Sequence, residues 1–203
     1  MTDATRKAIV EATLEIVGQG GFEKLTIRAI AERAGIGVGT VNYHFGSKAK
    51  VIVEAYRFVT SELQSAFSSL DDETVDPATR LRVFAHRFSE TVHAHGAALA
   101  FFASHSQVED TPPEYRNYAL GEGLESVLKV MCEINRTIGK REAAMRLSLF
   151  AGGLLYPELV PGAMGVKIDD PKERTRYCGL AAGILVPVPD ATLAEGENHA
   201  DKP

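Results

Sequence analysis

The sequence predicts an all-α protein, and three observations carry that expectation. Apolar residues recur three and four apart through most of the chain, as in Leu81, Phe84, Phe88 and Val92, which is the period of an amphipathic helix. No stretch alternates polar and apolar residues as a half-buried strand would, and no internal repeat is present. Threonine, serine, glycine and proline stand at the ends of the periodic stretches, where helices are capped and stopped.

The elements follow in order. Residues 5–18 put Ile9, Val10, Leu14, Ile16 and Val17 on one broad stripe, and Gly20-Gly21 then reads as a helix stop. Thr26 is a good N-cap for a short second helix that ends near Gly35, and a third runs from about Val38 to Phe45. Ser47 caps a long fourth helix through Val51, Ala55, Val59, Leu63 and Phe67, which closes at an acidic loop, Asp71 to Asp76. Beyond Pro77 comes another helix that Gly96 should break, followed by a short apolar segment from Ala97 to Val108. Pro112-Pro113 should start a helix that runs to about Thr137. The last two helices are expected at 141–156 and 171–186, with Pro157, Pro161, Gly162 and Gly165 in the loop between them. The tail after Pro187 is polar and proline-punctuated, and disorder is expected there.

Composition narrows the class. The chain has 203 residues, 45% of them hydrophobic, enough for one large domain or two small ones with a buried core. Its longest apolar runs fall far short of the roughly 20 residues a membrane helix needs, and its N-terminus lacks the apolar core of a signal peptide. A cytoplasmic protein that does not enter the membrane is expected. Cys132 and Cys178 stand alone, as packed, reduced thiols do. The net charge of −5 is unevenly spread: residues 1–57 hold eight Lys/Arg against six Asp/Glu, net +2, and the remainder holds fourteen against twenty-one, net −7. A basic module therefore precedes an acidic body.

The stretch AERAGIGVGTVNYHFGSKAK, residues 31–50, concentrates glycines beside large rings. Two short helices joined by a tight turn at Gly35 to Gly37 fit a helix-turn-helix, which lays its second helix in the major groove of DNA. Gly35 supplies a left-handed turn, and Gly37 and Gly39 let the second helix come close to the duplex. Thr40, Tyr43 and His44 project polar groups from one side, and Val41 and Phe45, four apart, point to the core. Lys48 and Lys50 lie in the first turn of the next helix, where the macrodipole prefers acids, an arrangement that makes sense as a phosphate clamp.

On LTIRAIAERAG, then GVGTVNYHFGSK, then AKVIVEAY, residues 5–58 resemble the DNA-binding domain of the tetracycline-repressor (TetR) family. The resemblance covers a little over a quarter of the chain. It implies an N-terminal three-helix helix-turn-helix DNA-binding domain, a long connecting helix, and a C-terminal helical ligand-binding and dimerisation domain, here at 1–46, 47–70 and 71–186, with a tail at 187–203. It further implies a homodimeric repressor that leaves double-stranded operator DNA when a small-molecule effector binds. By position, Thr26, Arg28, Val38, Thr40, Tyr43, His44 and Lys48 are then the DNA-facing residues, with Tyr43 and Lys48 on phosphates. Gly37 and Ala49 depart from the family, which commonly has a capping Ser or Thr and an acid there.

In the body, Phe88, Phe101, Phe102, His105, Tyr118 and Met131 are candidates to line a pocket for a mostly apolar ligand. Small residues inside the last two helices point to close packing, and the family's dimer bundle makes Ala151, Gly152, Leu155, Ala181, Ala182 and Gly183 the candidate interface. His86, His93, His95 and His105 lack the spacing and partners of a metal site, so no metal or cofactor is expected. Gly-x-Gly-x-Gly at 35–39 follows a helix and is no dinucleotide fingerprint; without a Walker loop or a nucleophile–base pair, an enzyme is not expected. The rival readings are an all-α ligand-binding or enzymatic bundle and an architectural DNA-binding protein without effector.

Overall fold

The computed structural model describes residues 3–104 and 122–185. Eight α-helices lie among the described residues: α1 (Asp3–Lys24), α2 (Ile27–Arg33), α3 (Val38–Phe45), α4 (Lys48–Phe67), α5 (Pro77–Ser104), α6 (Glu122–Ile134), α7 (Lys140–Leu159) and α8 (Pro171–Leu185). None of them is long and apolar enough to cross a membrane. The expected tail at 187–203 and the helix start at Pro112-Pro113 lie outside the described residues.

Two apolar cores organise these helices. The first gathers Ile9, Val10, Leu14, Leu25, Ile30, Val41, Phe45, Val51, Ala55 and Val59 from α1 to α4, and Ala98 of α5 joins them. The second gathers Leu63, Phe67, Phe84, Val127, Met131, Phe150 and Leu185, from the end of α4 to α8. Helix α4 thus serves both cores, its N-terminal half packing in one and its C-terminal half in the other, and so connects them.

Three expected breaks are absent. Helix α1 continues through Gly20-Gly21 to Lys24. A glycine costs a helix about 1 kcal/mol, a penalty that burial of a stripe from Ile9 to Val17 outweighs. Helix α5 continues through Gly96 because that residue is a contact point. A Cβ there would lie 2.8 Å from Cγ and 2.9 Å from Cβ of Glu158, so only glycine lets α7 come this close. Pro157, expected in a loop, lies buried in the last turn of α7. Proline cannot donate to the carbonyl four residues back, and the Tyr177 hydroxyl of α8 donates to that carbonyl, Gly153 O, at 2.5 Å.

Candidate nucleic-acid interface

Local chemistry shapes the turn between α2 and α3. The Thr26 hydroxyl accepts from the backbone N–H of Ala29 at 3.0 Å and caps α2. At the other end Ala34 N–H donates to Ile30 O, and Ile36 N–H to Ala31 O, both at 2.9 Å. Between them Gly35 turns the chain at φ +67°, in the left-handed region that glycine enters freely. Gly37 then caps α3 without any side-chain hydrogen bond.

Helix α3 has two distinct faces. Val41 and Phe45 are buried in the first core beside Ile30, Val51 and Ala55. Opposite them Val38, Gly39, Asn42 and Tyr43 face outward, Tyr43 with 86% of its surface exposed. A Cβ at Gly39 would meet nothing within 4 Å. Its glycine therefore answers to no packing demand among the described residues. Thr40 and His44 are half-buried at the edges of this face, and the Tyr43 and His44 rings meet edge to face at 5.1 Å. An exposed phenol, a hydroxyl and an imidazole on a bare helix flank can donate to phosphates or to base edges.

Gly46 closes α3 at φ +71°, and its N–H donates to Asn42 O at 2.8 Å. Ser47 Oγ accepts from Lys50 N–H at 3.3 Å, so α4 begins with Lys48 and Lys50 in its first turn and no acid there. Beside this start lies a cleft of about 480 Å³ lined by Arg6, His44, Ser47, Lys50, Glu54 and Arg57 among others. Glu54 pairs with Arg6 at 2.6 Å and with Arg57 at 3.8 Å, and the Arg6 guanidinium lies 5.7 Å from the centre of the Phe45 ring. The fold thus brings Val38, Thr40, Tyr43, His44 and Lys48 onto adjoining turns of α3 and α4. Thr26 and Arg28 are exposed at the start of α2.

The body places its sequence-predicted residues differently. Phe88, half-buried, packs 5.5 Å from Phe84 and 5.6 Å from Phe150, centre to centre, against the second core, and Met131 is fully buried within it. Phe101 and Phe102 lie in the last turn of α5, and His105 and Tyr118 lie outside the described residues. Of the six candidate interface residues, Gly152 and Gly183 are exposed, with open space where a Cβ would stand. Ala151 is half-buried, Ala181 is buried in the chain's own core, and Leu155 and Ala182 pack against it.

Sequence reasoning passed over an exposed apolar stripe. Met145, Leu149, Tyr156 and Leu159 of α7 and Leu180 of α8 are all about half exposed or more, Leu149 at 63% and Leu180 at 69%. The spacing 145, 149, 152, 156, 159 is helical and was the available signal. A contact set across α5, α7 and α8 was missed too. His93 Nδ1 lies 2.8 Å from Glu158 Oε1, and Arg174 Nη1 lies 2.8 Å from His93 Nε2. Burial pushes the Glu158 carboxyl above its ordinary range, against the opposing pull of His93.

Residues 9–55 match the family described as bacterial regulatory proteins, tetR family. Over 169 residues the chain is 28% identical to the HTH-type transcriptional regulator BetI of Brucella anthropi, covering 81% of this chain and 84% of that protein. Over 50 residues it is 48% identical to the HTH-type transcriptional repressor KstR of Mycolicibacterium smegmatis, covering 25% of this chain and 24% of that one. The fold is similar to the crystal structure of a transcriptional regulator from Rhodococcus sp. Rha1, with a TM-score of 0.61 at 20% identity over 91% of this chain and 99% of that one.

Proposed function

We propose, from the match of residues 9–55 to the tetR family and the likeness to BetI over most of the chain, that this is a DNA-binding transcriptional regulator of the TetR family, a homodimeric repressor released from its operator by a small, mostly apolar ligand. The observation that carries the DNA contact is the outward face of α3. Tyr43 stands almost wholly in solvent, and Gly39 beside it leaves room that nothing among the described residues fills. Helix α3 enters the major groove, Thr40 and His44 reach base edges, and Tyr43 and Lys48 hold phosphates, with Val38, Thr26 and Arg28 flanking them.

The exposed stripe on α7 and α8 supports the dimer. Large apolar side chains in a row on one face of a protein mark a contact surface, and Gly152 and Gly183 within it allow close approach. Repression is supported by the relative named a repressor, and release by a ligand by the family resemblance alone. A regulator without an effector is the second reading, favoured by the rings of Phe67, Phe84, Phe88 and Phe150, which pack on one another within the body.

The test is duplex binding as a function of salt. The logarithm of affinity for fragments selected from genomic DNA should fall linearly with log salt, and Lys48→Ala should reduce that slope by about one. An unchanged slope in Lys48→Ala removes that residue from the phosphate contacts. Titrating a thermal-shift hit with and without the selected fragment then tests release, because linkage makes operator DNA weaken effector binding by the factor the effector weakens operator binding.

A further inference from the structure

His93 stands on α5 between the two helices that carry the apolar stripe, bonded to Glu158 of α7 and to Arg174 of α8. A guanidinium has only donors. Arg174 Nη1 therefore donates, His93 Nε2 accepts, and the single ring proton sits on Nδ1, where it donates to the Glu158 carboxylate. Hydrogen bonds run in one direction across three helices, from Arg174 through the neutral imidazole to Glu158. Arg174 also donates to Ile168 O at 3.2 Å, so the same side chain holds the turn that precedes α8.

Protonating the ring reverses one of these contacts. Nε2 then carries a hydrogen of its own, the bond from Arg174 is lost, and two cationic groups face each other at 2.8 Å. We propose that His93 is a protonation-sensitive tie, which holds Arg174 when neutral and releases it when charged, and that operator binding weakens when the tie opens. The reading rests on the DNA-binding function above and adds a form of regulation to it.

The surroundings decide whether such a tie can respond. Glu158 from α7 and Arg174 from α8 face the ring from its two sides. Asp169, in the turn before α8, acts on Glu158, and Cys178 of α8 and Glu90 of α5 belong to the same electrostatic neighbourhood. Glu11 and Glu15 of α1 and His95 of α5 share a cleft of about 460 Å³ with His93 and Glu158. The cleft brings solvent to the ring, which is 29% exposed, so protons exchange without unfolding.

Position links the tie to DNA binding. Three residues after the cleft glycine Gly96 comes Leu99, and between them α5 crosses α1 so closely that a Cβ at Gly18 would lie 3.3 Å from Ala97 Cβ. Ala98 is already part of the core that holds α3. The tie therefore lies about one turn of α5 from the point where the body bears on the helix-turn-helix.

Nuclear magnetic resonance of the full chain carrying ¹⁵N-histidine reads the tautomer directly, and Nδ1–H is expected at pH 8. Affinity for a duplex selected by the protein from genomic DNA is then measured by fluorescence anisotropy between about pH 8 and 5.5, the range in which imidazoles change charge. His93→Gln keeps a donor for Glu158 and an acceptor for Arg174 but does not titrate. Wild-type affinity should fall about three- to tenfold more than that of His93→Gln, since a tenfold coupling corresponds to one unit of pKa between two states. The two proteins differ only at residue 93, so pH effects that arise elsewhere cancel in the comparison. An Nε2–H tautomer at pH 8, or identical pH profiles for the two proteins, overturns the tie while leaving DNA binding intact. Absence of duplex binding at every pH overturns the DNA-binding reading and the coupling with it.

Discussion

Thr26 carries two demands at once. Its hydroxyl caps α2 through Ala29 N–H, and its exposure at the head of the helix-turn-helix puts the same side chain beside the proposed DNA path. Thr26→Ala should cost about 1 kcal/mol of stability through the lost cap, read as a lower unfolding midpoint, whereas Thr26→Ser should keep it. Glu158 makes a different prediction, because burial raises its pKa in the folded state. The native chain then binds this proton more tightly than the unfolded chain does. The stability so contributed is complete below the unfolded pKa and is lost as pH rises through the folded one. Urea unfolding from acid to neutral pH should show this loss in the wild type, and Glu158→Gln should flatten it while still accepting from His93. A wild type and variant with parallel curves would mean that Glu158 titrates normally.

At the scale of the helix, glycines differ by what stands opposite them. A Cβ at Gly123 of α6 would lie 2.9 Å from Cγ and Cδ2 of Phe67, a ring already packed 5.1 Å from Phe84. Gly123→Ala should therefore destabilise by about 1–3 kcal/mol through overpacking, although alanine is the better helix former. Gly39 of α3 faces open space. Gly39→Ala should stabilise the fold by up to about 1 kcal/mol and weaken duplex binding, because the added methyl stands on the face proposed to meet DNA. Thermal melts paired with anisotropy separate the two effects, and a Gly39→Ala protein that binds DNA as tightly as the parent would move the duplex off this flank.

For the molecule as a whole, the arrangement is a basic reading head of net +2 on a body of net −7, with the exposed apolar stripe on α7 and α8. The proposed dimer through that stripe would present two α3 helices to half-sites roughly 34–36 Å apart. Gly183→Leu and Leu149→Asp change residues exposed in the single chain, so each variant should fold normally. Each should be monomeric by light scattering and bind operator fragments much more weakly. A folded variant that remains dimeric would place the interface on another surface.

What the sequence determined by itself is the local part of this protein. Helical periodicity, the caps at Thr26 and Ser47, the left-handed Gly35 and the division of α3 into a core face with Val41 and Phe45 and an outer face with Tyr43 all arise within a few residues of chain. Energies of that range can be read from neighbours in sequence. Tertiary structure decided the rest, because the deciding contacts join distant residues. Gly96 reads as a break until Glu158 is packed against it, and Pro157 reads as a loop residue until Tyr177 takes up the carbonyl it leaves unpaired. Phe88 suits a pocket or a core equally well by composition, and only the fold shows the rings of Phe84 and Phe150 packed against it. Nothing near His93 in sequence points to its partners; Glu158 and Arg174 reach it from 65 and 81 residues away, because packing three helices together costs less when their half-buried polar groups satisfy one another.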